Sequence, residues 1–204
     1  MTKVKNIIFD LGGVILNIDF SKTENAFREL GINGFSEMYT QHHSNELFVQ
    51  LEKGTISPDA FYDTFRKATD SELSNEAIKN AWNALLIDFR LPSLEWLEQI
   101  KDQYQIFLFS NTNQIHHDEF LEMYSRQTGR SNFDNFFKKA YYSQQLGMRK
   151  PDLEPFLYIL KQEGLIAEET LFIDDTIKNI KAAKLVGMQT IHLQWPQTLP
   201  DLDL

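Results

Sequence analysis

The stretch Ile7-Ile8-Phe9-Asp10-Leu11-Gly12-Gly13 places an apolar run directly before a carboxylate and two glycines. Two later stretches have the same order: Ile106-Phe107-Leu108-Phe109 runs into Ser110-Asn111-Thr112, and Leu171-Phe172-Ile173 runs into Asp174-Asp175-Thr176. Apolar runs that do not alternate with polar residues are typical of strands buried on both faces of a parallel sheet. We therefore predict three buried parallel strands that each end in polar residues.

Helical patterns lie between these runs and two further candidate strands, at 140–143 and 190–193. The predicted helices of this part cover 94–100, 113–126, 154–163 and 177–186. Gly164 and Gly187 stand where glycines commonly end helices. Because strand and helix alternate, the sequence predicts an α/β fold, a Rossmann-like doubly wound parallel sheet with helices on both faces.

A different pattern lies between about Phe20 and Arg90, where helix follows helix and no strand is evident. The predicted helices of this segment cover 22–30, 36–53, 58–69 and 75–86. Two of them begin at typical helix starts, Ser57-Pro58 and Ser74-Asn75. A helical block inserted after the first strand is most simply a cap over the edge of the sheet. We therefore predict a core formed by residues 1–18 and 91–204, with an inserted α-helical cap at 19–90.

Length, composition and charge limit the classes of protein that the chain can represent. With 204 residues, of which 42% are hydrophobic, it can form one globular domain that carries an insert. A net charge of -9 disfavours nucleic acid and anionic membranes as partners, and the absence of cysteine excludes disulfides and thiolate zinc sites. The apolar runs are too short for a signal peptide or a membrane span. We expect a cytoplasmic monomer that binds a small molecule.

The polar residues that follow the predicted strands should meet, because ligands bind beyond the carboxyl ends of the strands in an open parallel sheet. They are Asp10, Ser110, Asn111, Asp174 and Asp175, with Lys150 before a predicted helix at the same edge. Converging carboxylates need a cation among them, and oxygen ligands without cysteine favour Mg²⁺. Each residue alone is explained as well by a helix cap, a turn or a solvated lysine. Together they suit phosphoryl transfer through an aspartyl-phosphate.

Four stretches carry a resemblance to a known family, in order along nearly the whole chain. They are Phe9 to Val14, Phe109 to Thr112, Gly147 to Pro151, and Phe172 to Asp175 with Asn179 and Gly187-Met188 behind. In these stretches the chain resembles the haloacid dehalogenase-like hydrolases. Asp10-Leu11-Gly12, Ser110 to Asn113 with His116, and Gly147 to Pro151 are similar in particular to the bacterial sugar-phosphate phosphatases of the α-D-glucose-1-phosphate phosphatase type.

The resemblance implies a role for each residue at the strand ends. Asp10 would be the nucleophile that attacks phosphorus, and Ser110 and Asn111 would hold the phosphate. Lys150 would stabilise the aspartyl-phosphate. The implied ligands of Mg²⁺ are the carboxylate of Asp10, the main-chain oxygen of Gly12, and the carboxylates of Asp175 and Asp174. A helical cap would exclude bulk water and shape specificity.

The chain departs from the family's phosphatases at Gly12, where most of them have an aspartate that acts as general acid and base. Such help is typically worth about 10²–10⁴-fold in rate. Another group could substitute, and the candidates are Asp19, His42, His43, His116 and His117. Alternatively, the leaving group needs little protonation, or the protein binds phosphate compounds without hydrolysing them. A dehalogenase is disfavoured, because those relatives have tyrosine at this position and need no metal.

The sequence thus predicts a Mg²⁺-dependent phosphatase that hydrolyses a small phosphorylated metabolite, with a sugar phosphate as the favoured substrate. The alternative that Gly12 keeps open is a non-catalytic or regulatory protein that binds phosphate esters. Cap residues should select the substrate. The sequence does not decide which aromatic side chains of this region, among them Phe20, Phe48, Trp82 and Phe89, reach the pocket.

Overall fold

A computed structural model describes residues 2–41 and 43–204. The strands are β1 Asn6–Phe9, β2 Leu16–Ile18, β3 Tyr39–Thr40, β4 His43–Ser44, β5 Leu86–Phe89, β6 Gln105–Ser110, β7 Lys139–Tyr142, β8 Thr170–Asp174 and β9 Gln189–His192. The helices are α1 Phe20–Glu29, α2 Phe35–Met38, α3 Glu46–Glu52, α4 Pro58–Thr69, α5 Asn75–Asn83, α6 Leu91–Ile100, α7 Gln114–Thr128, α8 Ser143–Leu146, α9 Leu153–Glu163 and α10 Ile177–Leu185.

The centre of the molecule is a five-stranded parallel sheet in the order β7-β6-β1-β8-β9. The predicted buried strands form its middle, and Ile8 of β1 lies opposite Phe107 of β6 and Phe172 of β8. The chain moves outward from β1 in one direction and then in the other. This arrangement confirms the predicted doubly wound α/β fold.

Helices cover both faces of the sheet, which explains why its central strands are apolar throughout. On one face, Ile7 and Phe9 belong to a buried cluster that includes residues of α6 and α7. On the other, Ile8, Phe107 and Phe172 belong to a cluster with residues of α9 and α10. Successive side chains of a strand point to opposite faces, so every position of β1 is buried.

Helices α1 to α5 lie between β2 and β5 in the chain and have a hydrophobic core of their own. Its largest members are aromatic, namely Phe27, Phe35, Phe48, Phe61, Phe65 and Trp82. The side chains of Ser57 and Ser74 cap α4 and α5 as predicted, each accepting a hydrogen bond from the backbone three residues later. This cluster also packs against a helix of the sheet, because Ile115 of α7 is among its members.

The expectation that this segment contains no strand is wrong. The predicted helix at 36–53 is split into α2 and α3 by the short antiparallel hairpin of β3 and β4. Asn45 causes the restart, because its side chain accepts a hydrogen bond from the backbone N–H of Phe48 and caps α3. The predicted helix at 75–86 ends at Asn83, and β5 then pairs with β2, which the sequence did not indicate.

The two strands of that β2–β5 ribbon enter and leave the helical segment. The ribbon therefore marks the physical junction between the sheet and the helices α1 to α5. The sequence-based boundaries at 19 and 90 stay a prediction. Across the described ranges 2–41 and 43–204, none of the helices has both the length and the apolar character needed to cross a bilayer.

Candidate active site

Lys150 is the centre of a polar cluster at the carboxyl ends of the central strands. Its ammonium Nζ lies 2.8 Å from Oδ1 of Asp10 and 2.7 Å from Oδ2 of Asp174, and donates to the carbonyl of Phe109 at 2.9 Å. Asp10 follows β1, Asp174 ends β8, and Lys150 comes from the loop between α8 and α9. The lysine is only 1% exposed, so these partners replace its hydration.

Three carboxylates meet beside this lysine. Oxygens of Asp10, Asp174 and Asp175 lie within 4.8 Å of one another. Burial raises the pKa of Asp10 to about 8, against the attraction of Lys150 and with the repulsion of its two neighbouring carboxylates. Burial opposes the charge on Lys150, but Asp10 and Asp174 outweigh it and the lysine pKa is raised. One ammonium cannot neutralise three carboxylates, so the cluster has the charge and the oxygen donors to hold a divalent cation.

The loop after β1 adds backbone to this cluster. The Leu11 carbonyl accepts hydrogen bonds from three successive backbone N–H groups, those of residues 14–16. Across residues 2–41 and 43–204, no hydrogen bond ends on the carbonyl oxygen of Gly12, which lines the cavity. Gly13 has a φ of +71°, and a Cβ there would overlap the Asp175 carboxylate. The glycine at position 13 thus lets the backbone approach the Asp175 carboxylate closely.

Asn111 and Ser110 hold different positions at the end of β6. The Asn111 side chain brackets the Lys150 backbone, because Oδ1 accepts from its N–H at 2.9 Å and Nδ2 donates to its carbonyl at 2.8 Å. Asn111 also lines the cavity, while Ser110 is 3% exposed and lies behind it, with its hydroxyl 3.5 Å from the Asn111 carbonyl. The phosphate-binding roles of both residues stay predictions.

The Asp174 carboxylate accepts more hydrogen bonds than that of Asp175. Beyond Lys150, its carboxylate accepts from the backbone N–H of Thr176 at 2.7 Å and from Asn179 Nδ2 at 3.0 and 3.1 Å. It is 0% exposed. Asp175 lines the cavity, and its Oδ2 accepts a hydrogen bond from Gln41 of the hairpin at 3.3 Å. The two adjacent acids therefore differ in access, a difference that sequence alone does not reveal.

A cavity of about 360 Å³ opens from the carboxylates toward the helical segment. Its floor contains Asp10, Gly12, Lys150 and Asp175. The wall opposite is largely polar and comes mainly from the hairpin and α3, with Tyr39, Thr40, Gln41, His43, Ser44 and Glu52. The sequence did not single out Gln41 or Glu52, because the hairpin and the start of α3 were missed. Of the aromatic candidates, Phe20 lines the cavity, whereas Phe48, Trp82 and Phe89 are core residues.

The candidates to replace the missing acid are placed unequally. Asp19 caps α1 by accepting from the backbone and hydroxyl of Ser21, and it does not line the cavity. His116 is buried against Trp82, and burial lowers its pKa to about 4. His117 packs against the rings of aromatic residues on the sheet side. His43 lines the cavity, and His42 lies outside the described residues.

Comparison with known proteins places this geometry in a family. The family model of the haloacid dehalogenase-like hydrolases matches residues 4–187. The chain is 32% identical over 200 residues to the D-ribitol-5-phosphate phosphatase of Bacteroides thetaiotaomicron, covering 96% of this chain and 97% of that protein. It is also 32% identical over 197 residues to a sesquiterpene phosphatase of Aspergillus oryzae, covering 94% of this chain and 91% of that protein.

A solved structure gives the same result. The crystal structure of a variant HAD family enzyme from Bacteroides thetaiotaomicron, in complex with magnesium and inorganic phosphate, superposes with a TM-score of 0.90 at 31% identity. The alignment covers 96% of each chain, so it includes the helical segment as well as the sheet. The predicted family is thereby confirmed. The chain belongs to the haloacid dehalogenase-like hydrolases.

Proposed function

We propose that the protein is a Mg²⁺-dependent phosphatase that hydrolyses a small phosphorylated metabolite through an aspartyl-phosphate. The observation that carries this proposal is the cluster of Asp10, Lys150 and the Asp174–Asp175 pair, which opens into a cavity lined largely by polar residues. The two phosphatases among the relatives and the magnesium and phosphate bound to the structural relative support it.

The residues would divide the reaction into two displacements. In the first, a carboxylate oxygen of Asp10 attacks phosphorus, the bond from phosphorus to the ester oxygen breaks, and the departing oxygen takes a proton from solvent water. In the second, water attacks the aspartyl-phosphate, releasing inorganic phosphate and regenerating Asp10. Lys150 holds one oxygen of Asp10, and its charge counteracts part of the rise in the Asp10 pKa that burial and the two other acids cause. Its positive charge would also offset the charge that develops on phosphorus oxygens.

Mg²⁺ would be held by the open oxygens of the floor, namely a carboxylate oxygen of Asp10, the Gly12 carbonyl and Asp175. The ion would supply charge neutralisation for the phosphoryl group, which is its usual part in such reactions. Asp174, with every oxygen already engaged, would contribute mainly by fixing Lys150 and Asn179. Ser110 and Asn111 would complete the phosphate site.

The test is phosphate release from a panel of sugar phosphates, polyol phosphates and other metabolite esters. It is run with Mg²⁺, with a chelator and with Asp10→Asn. We expect turnover with Mg²⁺ and a loss of at least about 10³-fold in the variant, because the amide is not a nucleophile. Asp102→Asn serves as a matched control, since this exposed acid precedes β6 at the opposite end of the strand. Normal turnover by Asp10→Asn would remove the aspartyl-phosphate from the mechanism.

One observation favours a second candidate function, a protein that binds phosphate esters without hydrolysing them. Gly12 supplies no acid or base, and neither Asp19 nor the two histidines of α7 lines the cavity. For this candidate, calorimetry would detect phosphate-ester binding while turnover stays at background across the panel. Turnover that requires both metal and Asp10 would exclude it.

A further inference from the structure

A second cluster of charged and polar side chains lines the same cavity, away from the carboxylates of the floor. Glu52 is the last residue of α3, and Arg149 directly precedes Lys150. Oε2 of Glu52 lies 2.8 Å from Nε of Arg149, and Oε1 accepts from the hydroxyl of Tyr39 at 3.1 Å. All three residues line the cavity. The proposed mechanism uses none of them.

Glu52 is unusual because it is a carboxylate with only 4% exposure. Burial raises its pKa, and Arg149 and the Tyr39 hydroxyl counteract part of that effect. Buried carboxylates are costly unless they are paired, so a residue of this kind in a cavity wall needs a reason. The lining also contains hydrogen-bonding side chains of the hairpin, beside the apolar side chains of Ile18 and Phe20.

The carboxylate of Glu52 is engaged on both oxygens, because Oε1 accepts from Tyr39 and Oε2 forms an ion pair with Nε of Arg149. Oε2 and Nε are buried, so this ion pair holds the guanidinium in place and is not open to a ligand. The terminal Nη groups of Arg149 have no hydrogen bond within the described part of the chain and are not fully buried. They can donate to an alcohol hydroxyl, whereas a hydrocarbon leaves them unsatisfied.

We infer that Arg149, held in place by Glu52, recognises hydroxyl groups of the leaving alcohol and selects a phosphorylated polyol or sugar over an apolar phosphate ester. The inference rests on the proposed phosphatase function and adds the substrate class. Discrimination of this kind is large, because the wrong substrate buries polar groups of the site without partners.

The test compares two esters with the same carbon-chain length, D-ribitol 5-phosphate and n-pentyl phosphate. The quantity measured is the ratio of their kcat/KM values. We expect the wild-type protein to favour the polyol ester and Glu52→Gln to lower the ratio by about 10-fold or more, since the Arg149 guanidinium loses the charge that holds it in the cavity wall. Glu46→Gln is the matched control, because this exposed residue of α3 bonds only to Gln50 in the described structure and does not line the cavity.

A second variant keeps the test decisive if Glu52→Gln does not fold. Tyr39→Phe retains the ring and removes only the hydroxyl that fixes Glu52, and we expect it to lower the same ratio by about 3-fold. A ratio that stays unchanged while both esters lose activity equally would make Glu52 a structural residue and overturn the inference.

The wild-type measurements separate this inference from the function on which it rests. Equal efficiency with both esters would leave the phosphatase in place and overturn the selection by Glu52 and Arg149. Hydrolysis of neither ester, nor of any other in the metabolite panel, would overturn the proposed function and this inference with it.

Discussion

Gly12 occupies the position where the family's phosphatases carry their general acid, and the fold has filled the space that an acid would need. A Cβ at Gly12 would lie 2.9 Å from Cδ1 of Ile18 and 3.8 Å from two further atoms of the same side chain. The backbone there is not left-handed, so only this contact opposes a side chain. A single methyl group of β2 is therefore the steric obstacle to an aspartate at position 12.

This contact allows the missing acid to be restored by design. Ile18→Val removes the obstructing Cδ1, and we expect Gly12→Asp combined with Ile18→Val to fold and to raise kcat for alkyl phosphates by about 10–100-fold. The gain for p-nitrophenyl phosphate should be small, because that leaving group needs no proton. Steady-state kinetics of the wild-type protein and the double variant with both esters checks this. No gain with the alkyl ester would mean that another group already supplies the proton.

Gly13 differs from Gly12, because a side chain at position 13 should disturb the candidate metal site. A Cβ at this position would overlap Oδ2 of Asp175, and the left-handed φ of +71° adds strain. We expect Gly13→Ala to displace the carboxylate and weaken Mg²⁺ affinity by about 10-fold or more, with a matching loss of turnover at low Mg²⁺.

The control for Gly13 is Gly129→Ala, which has the same backbone strain, with a φ of +70°, and nothing within 4 Å of the added Cβ. It should cost about 1 kcal/mol of stability and leave the dependence on Mg²⁺ unaltered. Equal Mg²⁺ dependence in both variants would contradict the role assigned to the close approach of Gly13 and Asp175.

The helices and strands that the sequence predicted correctly are those that local patterns of residues indicate. The buried strands carry long apolar runs, and their polar ends identified Asp10, Lys150 and the acid pair, which the fold brings together. The strands β3 and β4 have two residues each and are too short to have a period, while β2 pairs with β5, a strand distant in the chain. The Glu52–Arg149 pair was missed for the same reason, since α3 and the loop before α9 meet only in the folded molecule.

Helix α7 contributes a pH-dependent contact to the helical segment. His116 stacks on Trp82 of α5 with ring centroids 4.4 Å apart, and its Nε2 lies 3.1 Å from the Trp82 carbonyl. Burial lowers the pKa of His116 from 6.5 to about 4, so the folded state holds the neutral ring. Between these values the unfolded chain binds more protons than the folded one. The neutral ring therefore makes its full contribution to stability above about pH 6.5, and this contribution is lost as the pH falls toward 4.

We expect His116→Phe, which keeps a ring on Trp82, to flatten this dependence. The slope of the unfolding free energy against pH between 6.5 and 4 should decrease by up to about 1.4 kcal/mol per pH unit. Denaturant titrations at several pH values measure both slopes. Parallel curves for the wild-type protein and the variant would show that His116 does not titrate in this window.

At the scale of the whole molecule, three contacts close the helical segment over the floor of the cavity. Gln41 reaches Asp175, Glu52 reaches Arg149, and Lys53 lies 3.7 Å from Asp152. We call this line of contacts the seam. Gly54 belongs to it, because a Cβ there would overlap the backbone carbonyl of Gln144 in α8. The seam sets the distance between the polar wall and the carboxylates, and therefore the geometry in which an ester can react.

The backbones approach each other most closely in the seam at Gly54 and Gln144. The Gln144 carbonyl belongs to the backbone and cannot give way as a side chain can, so Gly54→Ala should push the helical segment off the floor. We expect kcat/KM for a metabolite ester to fall by about 10–100-fold, since a displacement of roughly 1 Å costs that much in a positioned site. Binding of inorganic phosphate should change little, since the proposed phosphate site is on the floor. The control is Gly31→Ala, which lies in the helical segment with a φ of +87° and nothing within 4 Å of its added Cβ. If the two variants lose activity equally, backbone strain and not closure of the seam accounts for the effect.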